Sequence, residues 1–231
     1  MNINLSPLAA AAAAALIFSS CQTTTPLTAK KMVVSVADQR MVVFDHDGEP
    51  SRSYPVSTSK FGLGDQPGSY KTPIGRMVVR EKIGCDAKPG SVFKARQPTG
   101  EVVRPDSPGR DPIVTRILWL AGTDKSTENA YKRCIYIHGT AAESQVGEPV
   151  SYGCIRMRSK DVISLYETVG VGSEVHVKEE RLRDSELPRQ DARLVKELRR
   201  SKSLANDDGE VLAAAEEYSD PLIERLLSPK K

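Results

Sequence analysis

Short apolar runs separated by turn residues dominate the first three quarters of the chain. Such runs, rich in β-branched residues and bounded by polar or glycine-containing turns, are typical of strands. The runs predicted to be strands are Met32–Val36, Met41–Phe44, Tyr54–Thr58, Arg76–Arg80, Ile117–Leu120 and Cys134–His138. Between them, residues 88–112 carry so many Pro and Gly residues that we expect this segment to be largely irregular. The pattern predicts a mainly β fold, an antiparallel β-sandwich.

One segment shows the period of an amphipathic helix instead. Four apolar residues at positions i, i+3, i+4 and i+7 share one helical face, and these are Val162, Leu165, Tyr166 and Val169. The predicted helix begins near Ser159 and ends at Gly170. A further segment typical of a strand follows this helix and ends at Lys178.

Beyond Lys178 the chain becomes densely charged with both signs, and Pro188 interrupts it. Scattered apolar positions, at Leu194, Leu198 and residues 211–215, favour two or three amphipathic or solvated helices. We therefore expect residues 179–231 to form a charged helical C-terminal extension. We find no motif in them that carries chemistry.

Near the start of the sequence, an alanine-rich apolar run from Leu8 to Phe18 is followed by Ser19-Ser20-Cys21. The run is shorter than the roughly 20 residues that span a bilayer, so residues 1–21 are predicted to be a signal peptide with a lipobox-like end. Cys21 would then carry a lipid anchor to the membrane, although cleavage by an ordinary signal peptidase also fits. Residues 22–30 are predicted to be a linker. Either alternative implies an exported protein of the periplasm or cell envelope.

Composition agrees with one soluble domain plus extensions. The 231 residues are 39% hydrophobic, and the net charge of +3 provides no concentrated basic patch for nucleic acid. Cys85 and Cys134 could form a disulfide bond in an oxidising compartment, or both could be free thiols. No nucleotide-binding glycine motif or metal-ligand spacing is present, so no cofactor and no metal are expected.

The chemistry of the chain centres on His138 and Cys154, which lie 16 residues apart. A thiol is mostly protonated at neutral pH and becomes a strong nucleophile when an imidazole can take its proton. His138 is predicted to stand at the tip of its strand, where Gly139 allows a sharp turn. Cys154 is predicted to lie on a turn just before the helix. The backbone N–H groups around Tyr152, Gly153 and Cys154 could point at one spot and stabilise an oxyanion.

At these residues the chain resembles the catalytic domain of the L,D-transpeptidases, also called the YkuD type. The family motif is a histidine followed by Ser/Thr-x-Gly-Cys, and the matching residues here are His138, Ser151, Gly153, Cys154, Ile155 and Arg156. Residues 72–75, Thr-Pro-Ile-Gly, resemble a second family motif. The resemblance covers residues 31–178. It departs from the commonest pattern at Tyr152, where many members have a second histidine.

The resemblance implies a reaction on peptidoglycan stem peptides. Cys154 would attack a diaminoacyl carbonyl and form a thioester, and His138, oriented by the carbonyl of Gly139, would shuttle the proton. Ser151 and Arg156 would contact substrate or shape the loop. Transfer to an amine would make a 3-3 crosslink or anchor a protein. Transfer to water would make the protein an L,D-carboxypeptidase or other thiol hydrolase, and a non-catalytic wall-binding lipoprotein is a third alternative.

Overall fold

A computed structural model describes residues 28–197 of the chain. The predicted leader with Cys21, and the extension from residue 198 onward, lie outside the described residues. The strands, in chain order, are β1 (Lys31–Ser35), β2 (Arg40–Phe44), β3 (Pro50–Pro55), β4 (Gly75–Ile83), β5 (Ser91–Lys94), β6 (Gln97–Val102), β7 (Ile113–Gly122), β8 (Tyr136–Thr140), β9 (Ile155–Met157) and β10 (Glu174–Lys178). Helix α1 spans Ser159–Thr168, short 3₁₀ turns cover Glu143–Gln145 and Asp184–Glu186, and residues 189–197 are again helical.

The ten strands belong to one connected hydrogen-bonded sheet. Its main path runs β3-β2-β1-β10-β4-β7-β5-β6, while β8 pairs with β7 and β9 pairs with β8. Two pairings, β1 with β10 and β8 with β9, are parallel, and the others are antiparallel. The mainly antiparallel β fold is therefore confirmed, with a single branched sheet in place of two separate ones.

Both faces of the central strands are buried, which explains why their sequences are apolar at consecutive positions. In β1, Met32 and Val34 enter the main core together with Val162 and Leu165 of α1. Val33, between them, points to the opposite face. There it packs against Leu182, Leu187 and Val195, which follow β10, and against Val42 and Phe44 of β2. Because successive side chains alternate between faces, a strand covered on both sides has no polar face.

The helix prediction is confirmed by α1, which covers Ser159–Thr168. The prediction of a largely irregular segment at residues 88–112 was wrong in part, because β5 and β6 form an antiparallel pair there. Strand β6 includes Pro98 and Gly100 and is exposed at every position. It is the last strand on its edge of the sheet, and proline is tolerated on edge strands because it breaks no ladder on the open side.

No helix within residues 28–197 has both the length and the apolar character needed to cross a membrane. The same residues contain no group of three or more His, Cys, Asp or Glu side chains arranged to hold a metal ion. Within these residues, Cys85, Cys134 and Cys154 form no disulfide bond. Of the two alternatives for Cys85 and Cys134, the structure therefore shows the one without a disulfide.

Candidate active site

His138 is the third residue of β8, between β7 and β9, so the prediction that it stands at a strand tip was wrong. The prediction of a sharp turn at Gly139 was also wrong, because Gly139 continues the strand. A side chain there would place its Cβ 2.6 Å from the carbonyl oxygen of Val114 in β7. Gly139 is therefore required by the close approach of two strands rather than by a turn.

The imidazole of His138 is almost fully buried, with 5% of the residue exposed. Its Nδ1 lies 2.8 Å from the carbonyl oxygen of Gly139. A carbonyl oxygen only accepts, so Nδ1 carries the hydrogen and Nε2 has the free lone pair. Burial lowers the pKa of His138 to about 4, and the charge of Arg156 acts in the same direction, against the opposing effects of Gly139 and Asp111. The ring is therefore a neutral base at neutral pH.

Cys154 immediately precedes β9, so a three-residue strand separates it from α1 and the expected turn just before the helix is not found. Its Sγ accepts a hydrogen bond from the backbone N–H of Tyr136 and donates one to the carbonyl oxygen of Cys134, both at 3.4 Å. The side chain packs against an apolar cluster that includes Phe93 and Tyr136. Burial raises the pKa of the Cys154 thiol to about 11, although the N–H of Tyr136 and the charge of Arg156 act against this rise.

The parallel pairing of β8 with β9 brings the two predicted catalytic residues to one face of the sheet. His138 lies opposite Arg156, and Ile137 opposite Ile155, so Cys154 extends the register next to Tyr136. Since alternate residues of a strand share a face, His138 and Cys154 project from the same side of neighbouring strands. In the part of the chain that the structure describes, no hydrogen bond joins them, because the thiol is held by backbone groups.

The loop before Cys154 is held by side-chain to backbone hydrogen bonds. Ser151 is fully buried and its Oγ donates to the carbonyl oxygen of Cys154 at 2.6 Å. The same Oγ accepts the N–H of Gly153 at 3.2 Å, and the hydroxyl of Thr72 donates to the Gly153 carbonyl at 3.0 Å. Gly153 has φ +116°, and a Cβ there would lie 3.2 Å from the carbonyl oxygen of Lys71.

This network changes the expected role of one backbone amide. The N–H of Gly153 already donates to the Oγ of Ser151 inside the loop, so the predicted oxyanion role of this N–H competes with that hydrogen bond. Ser151 thus shapes the loop. Thr72 belongs to the Thr-Pro-Ile-Gly segment noted in the sequence, and its contact brings that distant segment against the Gly-Cys pair.

Arg156 forms an ion pair with Asp111, with its Nη1 2.7 Å from Oδ2. The other carboxylate oxygen, Oδ1, accepts hydrogen bonds from the hydroxyl of Thr140 at 2.6 Å and from the N–H of Ala141 at 2.9 Å. Asp111 therefore connects β9 to the chain that follows His138. Sequence reasoning missed Asp111, since it lies in the Pro- and Gly-rich segment without a motif of its own.

A cleft of about 720 Å³ opens beside the cysteine loop. Tyr152 and Arg156, on either side of Cys154 in sequence, line it together with Lys60, Asp111 and the turn after β8. A second cleft of about 790 Å³ lies under the β5–β6 hairpin. It is lined by Phe93, which belongs to the apolar cluster that Cys154 contacts. The first cleft is thus lined by residues that flank Cys154 in sequence, and the second by a member of the apolar cluster that Cys154 contacts.

Tyr152 itself is 55% exposed and contacts two more exposed rings, Phe61 and Tyr70, with centroids 5.4 and 6.0 Å away. The ammonium of Lys60 lies 4.4 Å from the centroid of the Tyr152 ring. Neither Lys60 nor the two additional rings was identified from the sequence, because they lie in a loop more than 80 residues before Cys154.

Comparison with known proteins identifies relatives along most of this domain. The model of the L,D-transpeptidase catalytic domain, YkuD, matches residues 29–177. The Escherichia coli K12 protein named Probable L,D-transpeptidase ErfK/SrfK is 27% identical over 167 residues, which cover 68% of this chain and 46% of the relative. Probable L,D-transpeptidase YbiS of the same strain is 26% identical over 144 residues, 62% of this chain and 43% of the relative. The chain therefore spans less than half the length of these curated relatives.

Among solved structures, L,D-transpeptidase 3 of Mycobacterium tuberculosis in complex with a faropenem-derived adduct is 22% identical, with a TM-score of 0.43, over 65% of this chain and 60% of that chain. An L,D-transpeptidase from Mycobacterium smegmatis is 21% identical, with a TM-score of 0.41, over 64% of this chain and 58% of that chain. Because the family model matches more than half of the residues, the chain belongs to the YkuD family of L,D-transpeptidase catalytic domains.

Proposed function

We propose that this protein is a peptidoglycan L,D-transpeptidase that uses Cys154 as its nucleophile and His138 as its general base. Membership of the family supports the reaction class. The observation that carries the assignment of residues is the β8–β9 register, which places the thiol and the imidazole on one face of adjacent strands. The hydrogen bond from Nδ1 to Gly139 leaves Nε2 ready to accept a proton.

In the first step the sulfur of Cys154 attacks the carbonyl carbon at the L-centre of a diaminoacyl residue. His138 takes the thiol proton as the S–C bond forms, and returns it to the amine of the departing D-amino acid as the C–N bond breaks. In the second step an acceptor amine attacks the thioester carbonyl, His138 takes a proton from the amine as the C–N bond forms, and the proton passes to the sulfur as the C–S bond breaks, which restores the thiol. The thiol has a pKa of about 11 and the imidazole a pKa of about 4, so the proton moves only as attack takes place.

The hydrogen bonds of the Cys154 thiol set a requirement for this step. The thiol donates its hydrogen to the carbonyl oxygen of Cys134, so this hydrogen bond must break before His138 can take the proton. The N–H of Cys154 then serves as an oxyanion donor in this proposal, since that of Gly153 is used by Ser151.

Product analysis tests the proposal. Purified protein is incubated with a stem tetrapeptide, and products are identified by mass spectrometry. We expect crosslinked dimers and free D-amino acid from the wild type and from Cys134→Ala, a matched variant that removes the neighbouring thiol. We expect neither product from Cys154→Ala or His138→Ala. Tripeptide without dimer would identify a carboxypeptidase, and equal activity of Cys154→Ala and wild type would refute the proposal.

We also propose that the protein is exported and anchored to a membrane by a lipid on Cys21. The support is the apolar run from Leu8 to Phe18, which is followed by Ser19-Ser20-Cys21. Lipid chains contribute about 0.8 kcal/mol per buried CH₂, which holds an attached enzyme close to the wall. Expression in bacteria with radiolabelled palmitate should label the wild type but not Cys21→Ala. Equal labelling of both would exclude this anchor.

A further inference from the structure

Lys60 and Tyr152 form a joined pair at the rim of the cleft beside the cysteine loop. Both residues line this cleft. The Nζ of Lys60 donates a hydrogen bond to the hydroxyl oxygen of Tyr152 at 3.0 Å. Tyr152 and Arg156, two residues before and two residues after Cys154, both line this cleft, so a group bound by the pair would lie beside the loop that carries the nucleophile.

Lys60 differs from the other cations that line the cleft in its ion pairing. Arg156 is paired with Asp111, and Arg110 is paired with Glu101. Within residues 28–197, Lys60 makes no ion pair with a carboxylate. The remaining carboxylate of the cleft, Asp106, accepts hydrogen bonds from the N–H and the hydroxyl of Ser144. Lys60 is therefore the cleft cation whose charge is free to act on a ligand.

The pair presents hydrogen-bond donors to the cleft. An ammonium has three N–H groups, and the bond to Tyr152 uses one of them. The Tyr152 hydroxyl accepts that bond and keeps its own hydrogen, and the bond to Lys60 lowers the pKa of Tyr152, which makes the hydroxyl a better donor. Two donors, one of them charged, match the oxygen atoms of a carboxylate.

The surroundings of the pair fit the rest of a peptide. Phe61 and Tyr70 are 44% and 58% exposed and lie against the Tyr152 ring. The three rings offer an apolar surface for the methylene groups that adjoin a peptide carboxylate. An exposed apolar surface of this kind, with a polar rim, is typical of a binding site.

We propose that Lys60 and Tyr152 form a carboxylate-binding site that selects stem peptides with a free carboxylate as acyl donors. This inference rests on the proposed function. Two carboxylates of the donor have the required chemistry: the one on the diaminoacyl side chain and the one on the departing D-amino acid. If Lys60 binds this carboxylate, a peptide in which it is replaced by a neutral carboxamide should be a poorer acyl donor.

Three synthetic tetrapeptides test the site: one with both carboxylates free, one amidated on the diaminoacyl side chain, and one amidated at the terminal D-residue. Release of the terminal residue is followed by mass spectrometry to obtain kcat and KM. We expect one amidated donor to have a kcat/KM about three- to tenfold lower with the wild type, through a higher KM, because a charged hydrogen bond near the surface contributes modestly. The affected donor identifies the carboxylate.

Variants separate this role from support of the loop. Lys60→Gln should treat the free and amidated donors alike, Lys60→Arg should keep the preference, and Tyr152→Phe should reduce it. Lys160→Gln, which removes an exposed lysine of α1, is the matched control and should behave as the wild type. The inference would be overturned, while the proposed function stands, by any of three results. The wild type could use all three donors equally, Lys60→Gln could keep the full preference for the free carboxylate, or amidation could affect kcat alone. Consumption of no donor by the wild type would overturn both.

Discussion

Native Cys154 should react with an alkylating reagent more slowly than the same cysteine in the unfolded chain. Burial raises the pKa of its thiol to about 11 from an ordinary value of 9.0. At pH 8 the thiolate fraction is then about 0.001 in the native protein and about 0.1 in the unfolded one, a hundredfold difference. A thiolate of higher pKa is intrinsically more nucleophilic, which offsets about a factor of ten over two pKa units. The net expectation is a native rate about tenfold lower, before any effect of restricted access.

The assay is reaction with iodoacetamide in buffer and in urea between pH 7 and 10, followed by digestion and mass spectrometry of the peptide that contains Cys154. The slope is more informative than the absolute rate, because restricted access slows the reaction equally at every pH. The native rate should rise about tenfold per pH unit up to pH 10, while the unfolded rate levels off near pH 9. Circular dichroism at each pH checks that the native sample stays folded.

One result would refute this reasoning. A native rate that is constant from pH 7 upward, or that exceeds the unfolded rate at pH 8, would mean that Cys154 is a thiolate at rest and that a thiolate–imidazolium pair forms without substrate. Arg156→Gln provides a directional control. The charge of Arg156 lowers the pKa of the thiol, so its removal should slow native alkylation further.

Two further predictions concern the residues around the thiol. The pKa of His138 is about 4 when folded against 6.5 when unfolded, so the unfolded chain gains this proton first as pH falls. The contribution of His138 to stability is therefore complete above pH 6.5 and decreases by about 3 kcal/mol towards pH 4, a decrease that urea unfolding should show for the wild type and not for His138→Gln. Asp111→Asn keeps an acceptor for Thr140 but leaves Arg156 without its carboxylate, and should lower the free energy of unfolding by about 1–3 kcal/mol. An unchanged urea midpoint in Asp111→Asn would contradict the bracing role of this ion pair.

Several features of this protein could be predicted because they depend on local sequence. The apolar period over Val162–Val169 predicts a helix without knowledge of the tertiary surroundings, and α1 is found there. Turn-bounded apolar runs likewise predict strands such as β1 and β2. The prediction failed at β6, where the composition is typical of a loop and the strand exists through its pairing with β5. Pairing between strands is a long-range property that local composition does not contain.

His138 and Cys154 could be predicted as the candidate reactive residues from the sequence alone, through their residue types and the Gly-Cys motif. The groups that surround them could be identified only in the folded structure. Three contacts of the loop are made by residues 45 to 92 positions away along the chain. They are the ion pair of Asp111 with Arg156 and the hydrogen bonds of Thr72 to the Gly153 carbonyl and of Lys60 to Tyr152. Burial of the thiol and the imidazole, which holds both neutral at rest, is likewise set by the sheet and the chain packed around it. Desolvation and charge act through space, so residues that are remote in sequence determine the pKa values of a site that the local motif only locates.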